Sequence, residues 1–242
     1  MNDNIFMFIS CTTICIVIVI LFYTGYAILN YHKRISHKKR YLLLMGGSGC
    51  GKTTLAKTLR TFDNKKFNNI IEYSTRNKRE NEVNGIDYNF ISKEDFFNKH
   101  LNNSFCEEVN YQFSPGYYGA LLSDIDDKKW NIIVVSVEGF ISMMNHVNTE
   151  DSIILINIIN DIPTDINRTG RDNTAEENVN LGVISALANG KQDLTENSTS
   201  FSMLNNKNRI VNCTYIPLKL SGLKKIRNDK EQLLLYFNSI CK

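Results

Sequence analysis

The sequence of 242 residues lacks the features that mark several common protein classes. It contains no internal repeat, and its four histidines have no partners in a recognisable motif. Neither a metal-ligand spacing nor a disulfide framework connects the six cysteines, as expected of reduced thiols in a cytosolic domain. The net charge is only +3, and no basic stripe follows the chain. These absences argue against a nucleic-acid-binding protein and against a disulfide-rich secreted domain.

An uncharged apolar run is present near the N-terminus, at Ile5–Leu29. At about 1.5 Å per residue, a helix of this length exceeds the roughly 30 Å hydrocarbon core of a bilayer. A cleaved signal peptide is the alternative, but the run is too long for one and no Lys or Arg precedes it. The sequence therefore predicts an N-terminal segment, residues 1–30, with one transmembrane helix at about residues 5–29.

A basic linker follows this segment at residues 31–40 and contains five Lys or Arg residues. Because cationic flanks stay on the cytosolic side of a membrane, the linker predicts a single-pass protein whose C-terminal domain is in the cytosol. With Asp3, these cations give residues 1–40 a charge of +4, so residues 41–242 carry −1. That stretch is long enough for one α/β domain, and nothing in it indicates a protein partner.

The most informative motif is a glycine-rich loop between a predicted strand, Tyr41–Met45, and a predicted helix, Thr54–Leu59. The loop has the spacing G-x4-G-K-T, and the nucleotide-binding residues it predicts are Gly46, Gly47, Ser48, Gly49, Cys50, Gly51, Lys52, Thr53 and Thr54. Glycines let such a loop point successive backbone N–H groups inward, where they bind phosphates at a helix N-terminus. We expect Lys52 to reach the β- and γ-phosphates of a nucleoside triphosphate and Thr53 to bind Mg²⁺. A chance glycine-rich turn is the alternative, and the flanking strand and helix disfavour it.

Strands alternate with helices after this loop, which predicts an α/β fold with a mostly parallel sheet. The main predicted strands are Asn69–Tyr73, Tyr88–Ile91, Phe105–Val109, Ile132–Val137, Ile153–Ile159 and Ile210–Asn212. Predicted helices begin near Ser92 and cover Asp165–Ala188 and Leu223–Phe237, whereas Asn189–Asn208 is polar and predicted to be partly mobile.

A second set of motifs extends beyond the loop. Residues 74–91 match the pattern T-R-x-x-R-x-x-E-x-x-G-x-x-Y-x-F. The series continues with Phe105-Cys106-Glu107, Tyr118-Gly119 and Arg171 before Glu176-Glu177. In this order the motifs resemble the guanylate kinase family of P-loop nucleoside monophosphate kinases, over residues 41–215. The resemblance implies a P-loop kinase fold for residues 41–242: a parallel core sheet, a small mixed monophosphate-binding lobe at about residues 73–125 and a helical lid at about residues 161–188.

The same resemblance implies an activity. Members of the family transfer the γ-phosphoryl group of ATP to GMP, with dGMP a plausible second substrate, and they use Mg²⁺. Lys52, Arg76 and Arg171 match catalytic positions of the family, and Asn212 more weakly matches a position that contacts the ATP.

Substrate-binding positions of the family are matched by Arg76, Arg79, Tyr88, Glu107, Tyr118 and Glu138. The arginines and tyrosines would bind the phosphate of GMP. An ionised carboxylate such as that of Glu107 only accepts hydrogen bonds, so it suits the N1–H and N2–H₂ donors of guanine. The alternatives are a solvated arginine turn at Arg76 and Arg79 and two exposed acids at Glu107 and Glu108.

Four further positions depart from the family's pattern, namely Glu72, Ala120, Ser136 and Gly182. Glu72 replaces a serine near the substrate phosphate, where a carboxylate would repel the ligand. Ala120 removes a hydroxyl, Ser136 replaces an acid, and Gly182 replaces a lid arginine. The departures keep open a second hypothesis, a catalytically weakened nucleotide-binding or scaffold module at a membrane, and a third, a kinase for another phosphorylated small molecule.

Overall fold

The computed structural model describes residues 18–25, 38–110, 116–161, 181–186 and 197–242. The chain divides into two units, Met1–His37 and Lys38–Lys242. In the first unit, residues 18–25 are helical. Within the described ranges, no helix is both long enough and apolar enough to cross a membrane. The predicted span at about residues 5–29 lies mostly outside these ranges and stays a prediction.

A six-stranded sheet forms the centre of the second unit, with strand order β2-β7-β1-β8-β10-β9. Its strands are β1 (Arg40–Gly46), β2 (Phe67–Asn69), β7 (Trp130–Val134), β8 (Ser152–Ile159), β9 (Thr199–Leu204) and β10 (Ile210–Lys219). All neighbouring strands are parallel except the edge strand β9, which is antiparallel to β10. The parallel register brings the carboxyl ends of β1, β8 and β10 to one edge of the sheet.

Both faces of this sheet are buried. Leu42 and Leu44 of β1 belong to one hydrophobic cluster, and the alternating Leu43 belongs to the other. The first cluster includes residues of α1 (Lys52–Phe62), α4 (Leu220–Ile226) and α5 (Lys230–Ile240), and the second includes residues of α3 (Val137–Met144). Because helices cover both faces, the central strands are mostly apolar rather than alternating with polar residues, and the asparagines within them, Asn131 and Asn157, are buried.

A smaller sheet has the strand order β4-β3-β6-β5. Its strands are β3 (Tyr73–Ser74), β4 (Asn89–Phe90), β5 (Phe105–Asn110) and β6 (Tyr117–Leu121), and helix α2 (Lys93–Leu101) lies between β4 and β5 in the chain. The β3–β4 pair is parallel and the other pairs are antiparallel. The predicted α/β fold with a parallel core sheet and a smaller mixed sheet is therefore confirmed. Most of the predicted lid lies outside the described residues, and residues 181–186 of it are helical.

Some predicted elements were wrong in their boundaries. The predicted strand Asn69–Tyr73 is instead the crossing between the two sheets, since β2 ends and β3 begins within it. The strand predicted over Ile132–Val137 ends at Val134, because Ser136 caps helix α3 by accepting a hydrogen bond from the Gly139 N–H at 3.1 Å.

The C-terminal part of the chain also differs from the prediction. The polar segment predicted to be partly mobile contains edge strand β9, in which Phe201 is buried. The predicted helix Leu223–Phe237 is two helices, because Asp229 caps α5 by accepting a hydrogen bond from the Gln232 N–H at 3.1 Å.

Candidate functional site

The glycine-rich loop joins the carboxyl end of β1 to the N-terminus of α1. Gly46 (φ 141°) and Gly51 (φ 93°) have positive φ angles that L-residues rarely adopt. A Cβ at Gly46 would lie 2.5 Å from the carbonyl oxygen of Ile158 in β8, so no larger residue fits between the strands. The loop thus turns directly from the sheet into a helix N-terminus, where backbone N–H groups and the helix dipole attract anions.

Lys52 is the first residue of α1, and its side chain folds back over the loop. Its Nζ donates hydrogen bonds to the carbonyl oxygens of Gly46 at 2.6 Å and Gly47 at 2.8 Å. Thr53 follows in the first helical turn and is exposed. The ammonium group therefore lies against the backbone of the loop, and the exposed Thr53 follows it at the N-terminus of α1.

A second cation, Arg227, lies at the same loop and was missed by the sequence analysis. Its Nη1 would be 3.3 Å from a Cβ placed on Gly51. Arg227 follows α4, whose N-terminal part is held to the end of β8 because Ser221 donates its N–H and its hydroxyl to the Asp161 carboxylate. No local motif marks this arginine, since only the order of the strands brings it to the loop.

Asn212 lies at the opposite end of β10 from the loop. Lys219 pairs with Ile159, so the carboxyl end of β10 reaches the edge that carries the loop. At roughly 3.3 Å per residue, Asn212 is about 20 Å from that edge. Its Oδ1 instead accepts a hydrogen bond from the Ser202 hydroxyl at 2.6 Å. The geometry does not support the predicted contact between Asn212 and the nucleotide.

Arg76 is held in a fixed orientation in the small sheet's loop. Its Nη1 and Nη2 donate to the two carboxylate oxygens of Glu82 at 2.6 and 2.5 Å. Its guanidinium also lies 5.0 Å from the ring centre of Tyr88 and 5.2 Å from that of Phe90. The hydrogen bond from Arg76 lowers the pKa of Glu82. Arg79 is exposed, with its Nη1 3.9 Å from Glu82 Oε1.

Tyr88 and Tyr118 complete the group of side chains around Arg76, which we call the Arg76 cluster. The rings of Tyr88 and Tyr118 are 5.7 Å apart, and Tyr118 is buried in β6. Burial raises the pKa of Tyr88, and the nearby carboxyl of Glu72 raises it further. The Tyr88 phenol therefore stays neutral and able to donate a hydrogen bond, as a phosphate ligand requires. The structure brings Arg76, Tyr88 and Tyr118 together as the sequence predicted, whereas Arg79 lies at the exposed side.

Glu107 and Glu72 form a buried pair of carboxyl groups. Glu107 is 1% exposed, so it is not one of two exposed acids; its neighbour Glu108 instead contacts His100 at 2.8 Å. The two carboxyl groups lie close enough to interact, and burial is the main cause that raises the pKa of both, to about 8 for Glu72 and well above its usual value for Glu107. The positive charge of Lys52 partly opposes the shift of Glu72.

Helix α3 lies against the side chain of Glu107. A Cβ at Gly139 would lie 2.2 Å from Oε1 of Glu107, so the glycine leaves the space that the carboxyl occupies. Glu138 is next to it in the first helical turn and is half-buried. Ser136, which replaces an expected acid, is the cap of the helix, and Ala120 is fully buried in β6.

An ion pair connects the small sheet to the helix of the glycine-rich loop. Lys57 Nζ of α1 donates to Asp87 Oδ1 at 2.7 Å, and Asp87 Oδ2 accepts a hydrogen bond from the Val83 N–H at 2.8 Å. Of the predicted lid residues, Arg171 lies outside the described residues. Gly182 is exposed, and a Cβ there would meet no atom within 4 Å.

Residues 38–210 match the profile described as guanylate kinase. A guanylate kinase of Mycoplasmopsis pulmonis is 47% identical over 89 residues, which cover 37% of this chain and 44% of that protein. One of Mycoplasmoides gallisepticum is 36% identical over 115 residues, or 46% of this chain and 58% of that protein.

The matched region of the chain thus spans about half the length of these relatives. A crystal structure of guanylate kinase from Anaplasma phagocytophilum superposes with a TM-score of 0.49 and 16% identity, covering 83% of this chain and 87% of that chain. The profile match extends over most of the sequence and contains both the glycine-rich loop and the Arg76 cluster. This chain therefore belongs to the guanylate kinase family.

Proposed function

We propose that this chain transfers the γ-phosphoryl group of ATP to GMP, giving ADP and GDP, and that it also accepts dGMP. The position of Glu72 is the main observation that supports this proposal. Its carboxyl lies close enough to Glu107 to interact with it, the positive charge of Lys52 acts on it, and it raises the pKa of Tyr88. A phosphate-binding lysine, a base-reading carboxyl and the Arg76 cluster therefore border one shared space.

The chemistry of this space suits phosphoryl transfer between two phosphates. Arg76, Tyr88 and Tyr118 would bind the phosphate of GMP, with Arg79 approaching from the exposed side. Glu107 and Glu138 would read guanine from β5 and α3. The acceptor is already a phosphate oxygen, so catalysis needs positioning and charge neutralisation by Lys52, Arg76 and Arg171 rather than a general base.

Mg²⁺ fits the residues at the loop. Among the described residues, no group of three or more His, Cys, Asp or Glu side chains is arranged to hold a metal ion. Mg²⁺ in kinases is held by nucleotide phosphates, water and one or two protein oxygens, so the exposed Thr53 hydroxyl is a sufficient protein ligand. Bound there, the ion would neutralise charge on the phosphates of ATP.

A substrate panel tests the proposal. ADP release by the full chain with ATP and Mg²⁺ is measured with GMP, dGMP, AMP, CMP and UMP. We expect turnover with the two guanine nucleotides and little with the others, because adenine offers no paired N–H donors to Glu107. A Glu107→Gln variant should lose selectivity for GMP over AMP. Equal turnover of GMP and AMP by the unmodified chain would reject the substrate assignment.

A catalytically weakened nucleotide-binding or scaffold module is the second candidate. The buried acid at Glu72 and the missing hydroxyl at Ala120 favour it, because both alter the monophosphate pocket. Calorimetry separates the two candidates: ATP binding without GMP-dependent turnover would favour the module.

The same proposal places the protein at a membrane, with its kinase domain in the cytosol. The uncharged run at about residues 5–29 and the basic linker support this location. Flotation of the full chain with liposomes, compared with a chain starting at residue 38, is the corresponding experiment. Equal flotation of both chains would contradict the proposed membrane location.

A further inference from the structure

The hairpin of β9 and β10 extends past its neighbouring strands at the edge of the central sheet opposite the glycine-rich loop. Thr214, the fifth residue of β10, pairs with Ile154, the third residue of β8. β10 therefore begins two residues, or about 7 Å, outside the first residue of β8. That first residue is level with Arg40 of β1. The hairpin turn, residues 205–209, thus lies on the same edge as the point where the chain enters β1.

The turn is held against the end of helix α3 and the loop that follows it. The amide of Asn205 is buried and donates to the carbonyl oxygen of Met144 at 3.2 Å. Arg209 Nη1 donates to Asn148 Oδ1 at 2.9 Å. These hydrogen bonds fix the position of the turn relative to the sheet.

One face of the hairpin is exposed, and it is apolar only at its outer end. Leu204 and Ile210 are directly opposite each other across the two strands, and they are 67% and 60% exposed. The exposed residues that continue this face are polar, namely Ser200, Ser202, Asn212 and Thr214. The hairpin therefore presents a pair of aliphatic side chains to solvent beside its turn.

Cations collect at the same edge, because the segments that enter several parallel strands are basic. We call six of them the basic edge: Lys38 and Lys39 before β1, Lys128 and Lys129 before β7, and Lys207 and Arg209 in the hairpin turn. Parallel strands begin at one edge of a sheet, so residues from three distant parts of the chain share one surface.

Four acids lie near the basic edge, and two of them accept hydrogen bonds from its backbone. Asp151 is buried and accepts from the Lys39 N–H at 2.9 Å, and Asp126 accepts from the Lys128 N–H at 2.9 Å. The other two are exposed, namely Asp127 and Glu150. Six cations against four acids leave this edge positively charged.

We propose that the Leu204–Ile210 pair and the basic edge form a second membrane contact, with a lipid surface that carries anionic headgroups. The inference rests on the proposed membrane location, because the basic edge continues directly from the linker at residues 31–40. Lysine and arginine side chains attract anionic headgroups, and the aliphatic pair beside them enters the boundary between headgroups and acyl chains.

The linker makes a weak contact of this kind effective. A domain attached to the membrane through a short linker meets the lipid surface at high effective concentration, so a contact too weak to hold the domain alone still forms. The glycine-rich loop is at the opposite edge of the sheet and would then face away from the bilayer, open to nucleotides.

Quenching of tryptophan fluorescence by lipid tests this contact in the full chain. Leu204→Trp places a reporter beside the hairpin turn, and the chain's single tryptophan, Trp130, is only 2% exposed. The protein is reconstituted into vesicles of brominated phosphatidylcholine, alone or mixed with phosphatidylserine. We expect the reporter to lose about half of its emission in the anionic vesicles and little in the neutral ones. Ile86→Trp is the matched control at an exposed aliphatic position before β4, and it should keep its emission in both.

A charge variant separates the hairpin from general attraction. Lys207→Glu, introduced into the Leu204→Trp chain, should remove most of the quenching in anionic vesicles. Lys93→Glu changes the charge equally at an exposed position of α2 and should leave the quenching unchanged. Equal losses in the two variants would overturn the inference.

The outcomes also separate this inference from the proposals before it. A full chain that does not float with either kind of vesicle contradicts the membrane location and overturns the inference with it. Flotation without quenching of Leu204→Trp overturns the hairpin contact alone. Self-association of the detergent-solubilised chain that Leu204→Asp abolishes would assign the aliphatic pair to a second copy and overturn the lipid contact. Quenching without GMP turnover supports the contact and rejects only the kinase assignment.

Discussion

Arg76 and Glu82 form a two-pronged ion pair in which both side chains are largely buried, at 9% and 15% exposed. The carboxylate fixes the plane of the guanidinium and offsets its charge before any phosphate arrives. Planar paired donors of this kind match the oxygens of a phosphate. Glu82 is therefore a positioning residue that acts through Arg76.

We expect Glu82→Gln to raise KM for GMP about tenfold, equivalent to about 1.4 kcal/mol, and to leave KM for ATP unchanged. An amide retains one hydrogen bond but loses the charge that orients Arg76. Steady-state kinetics with each substrate varied in turn provides the measurement. Equal effects on both Michaelis constants would indicate general loosening of the fold.

The same substitution should change acid stability. Arg76 lowers the pKa of Glu82 in the folded state, so the contribution of Glu82 is present above the ordinary glutamate pKa of about 4.5 and is lost as pH falls through the lowered value. Glu82→Gln should therefore lose less stability than the unmodified chain on acidification below pH 4.5. Urea midpoints measured across that range provide the comparison.

Replacing Lys52 with Ala should lower kcat by at least about 100-fold, because in the proposed function the ammonium, which lies at the glycine-rich loop, would stabilise charge on the transferred phosphoryl group. Lys65→Ala, an exposed lysine beyond the same helix, is the control and should retain full activity. Unchanged turnover in Lys52→Ala would contradict the assigned role of the loop.

Arg227→Ala should raise KM for ATP roughly fivefold to tenfold and leave KM for GMP unchanged. The reason is the approach of its guanidinium to Gly51, at the triphosphate side of the site. Lys225→Ala removes an exposed cation from the same helix and is the matched control. An equal rise in KM for ATP in both variants would mean that Arg227 acts only through general electrostatic attraction.

Gly139→Ala should displace the base-reading carboxyl, since the new methyl would lie 2.2 Å from Glu107 Oε1. We expect a loss of about 1–3 kcal/mol in the free energy of unfolding and a higher KM for GMP. Gly182→Ala is the control in another helical segment, where open space surrounds the Cβ and helix propensity predicts a gain of up to about 1 kcal/mol. Equal stability changes in the two variants would contradict the tight packing at Gly139.

The central sheet and the loop were predictable because their signals are local. A continuous apolar run followed by G-x4-G-K-T predicts a strand, the loop that follows it and the start of a helix, and these are β1, the glycine-rich loop and α1. The arginine and tyrosine pattern of residues 74–91 likewise lies within one short segment. Edge strand β9 was missed because its serines, Ser200 and Ser202, are exposed and only Phe201 is buried.

Arg227 and the proximity of Glu72 to Glu107 were not predictable in this way. Each depends on distant parts of the chain meeting in space, through the strand order in one case and the junction of the two sheets in the other. The assignment of Asn212 failed for a related reason, because a match of three residues did not reveal how far β10 continues beyond them.

The contact between Lys57 and Asp87 has a consequence for how the protein responds to its solution. Both side chains are partly exposed, at 36% and 25%, so mobile ions can screen their attraction. We therefore expect dilute buffer to favour the contact between the smaller sheet and helix α1, and concentrated potassium chloride to weaken it. The position of the smaller sheet relative to the glycine-rich loop should therefore depend on ionic strength.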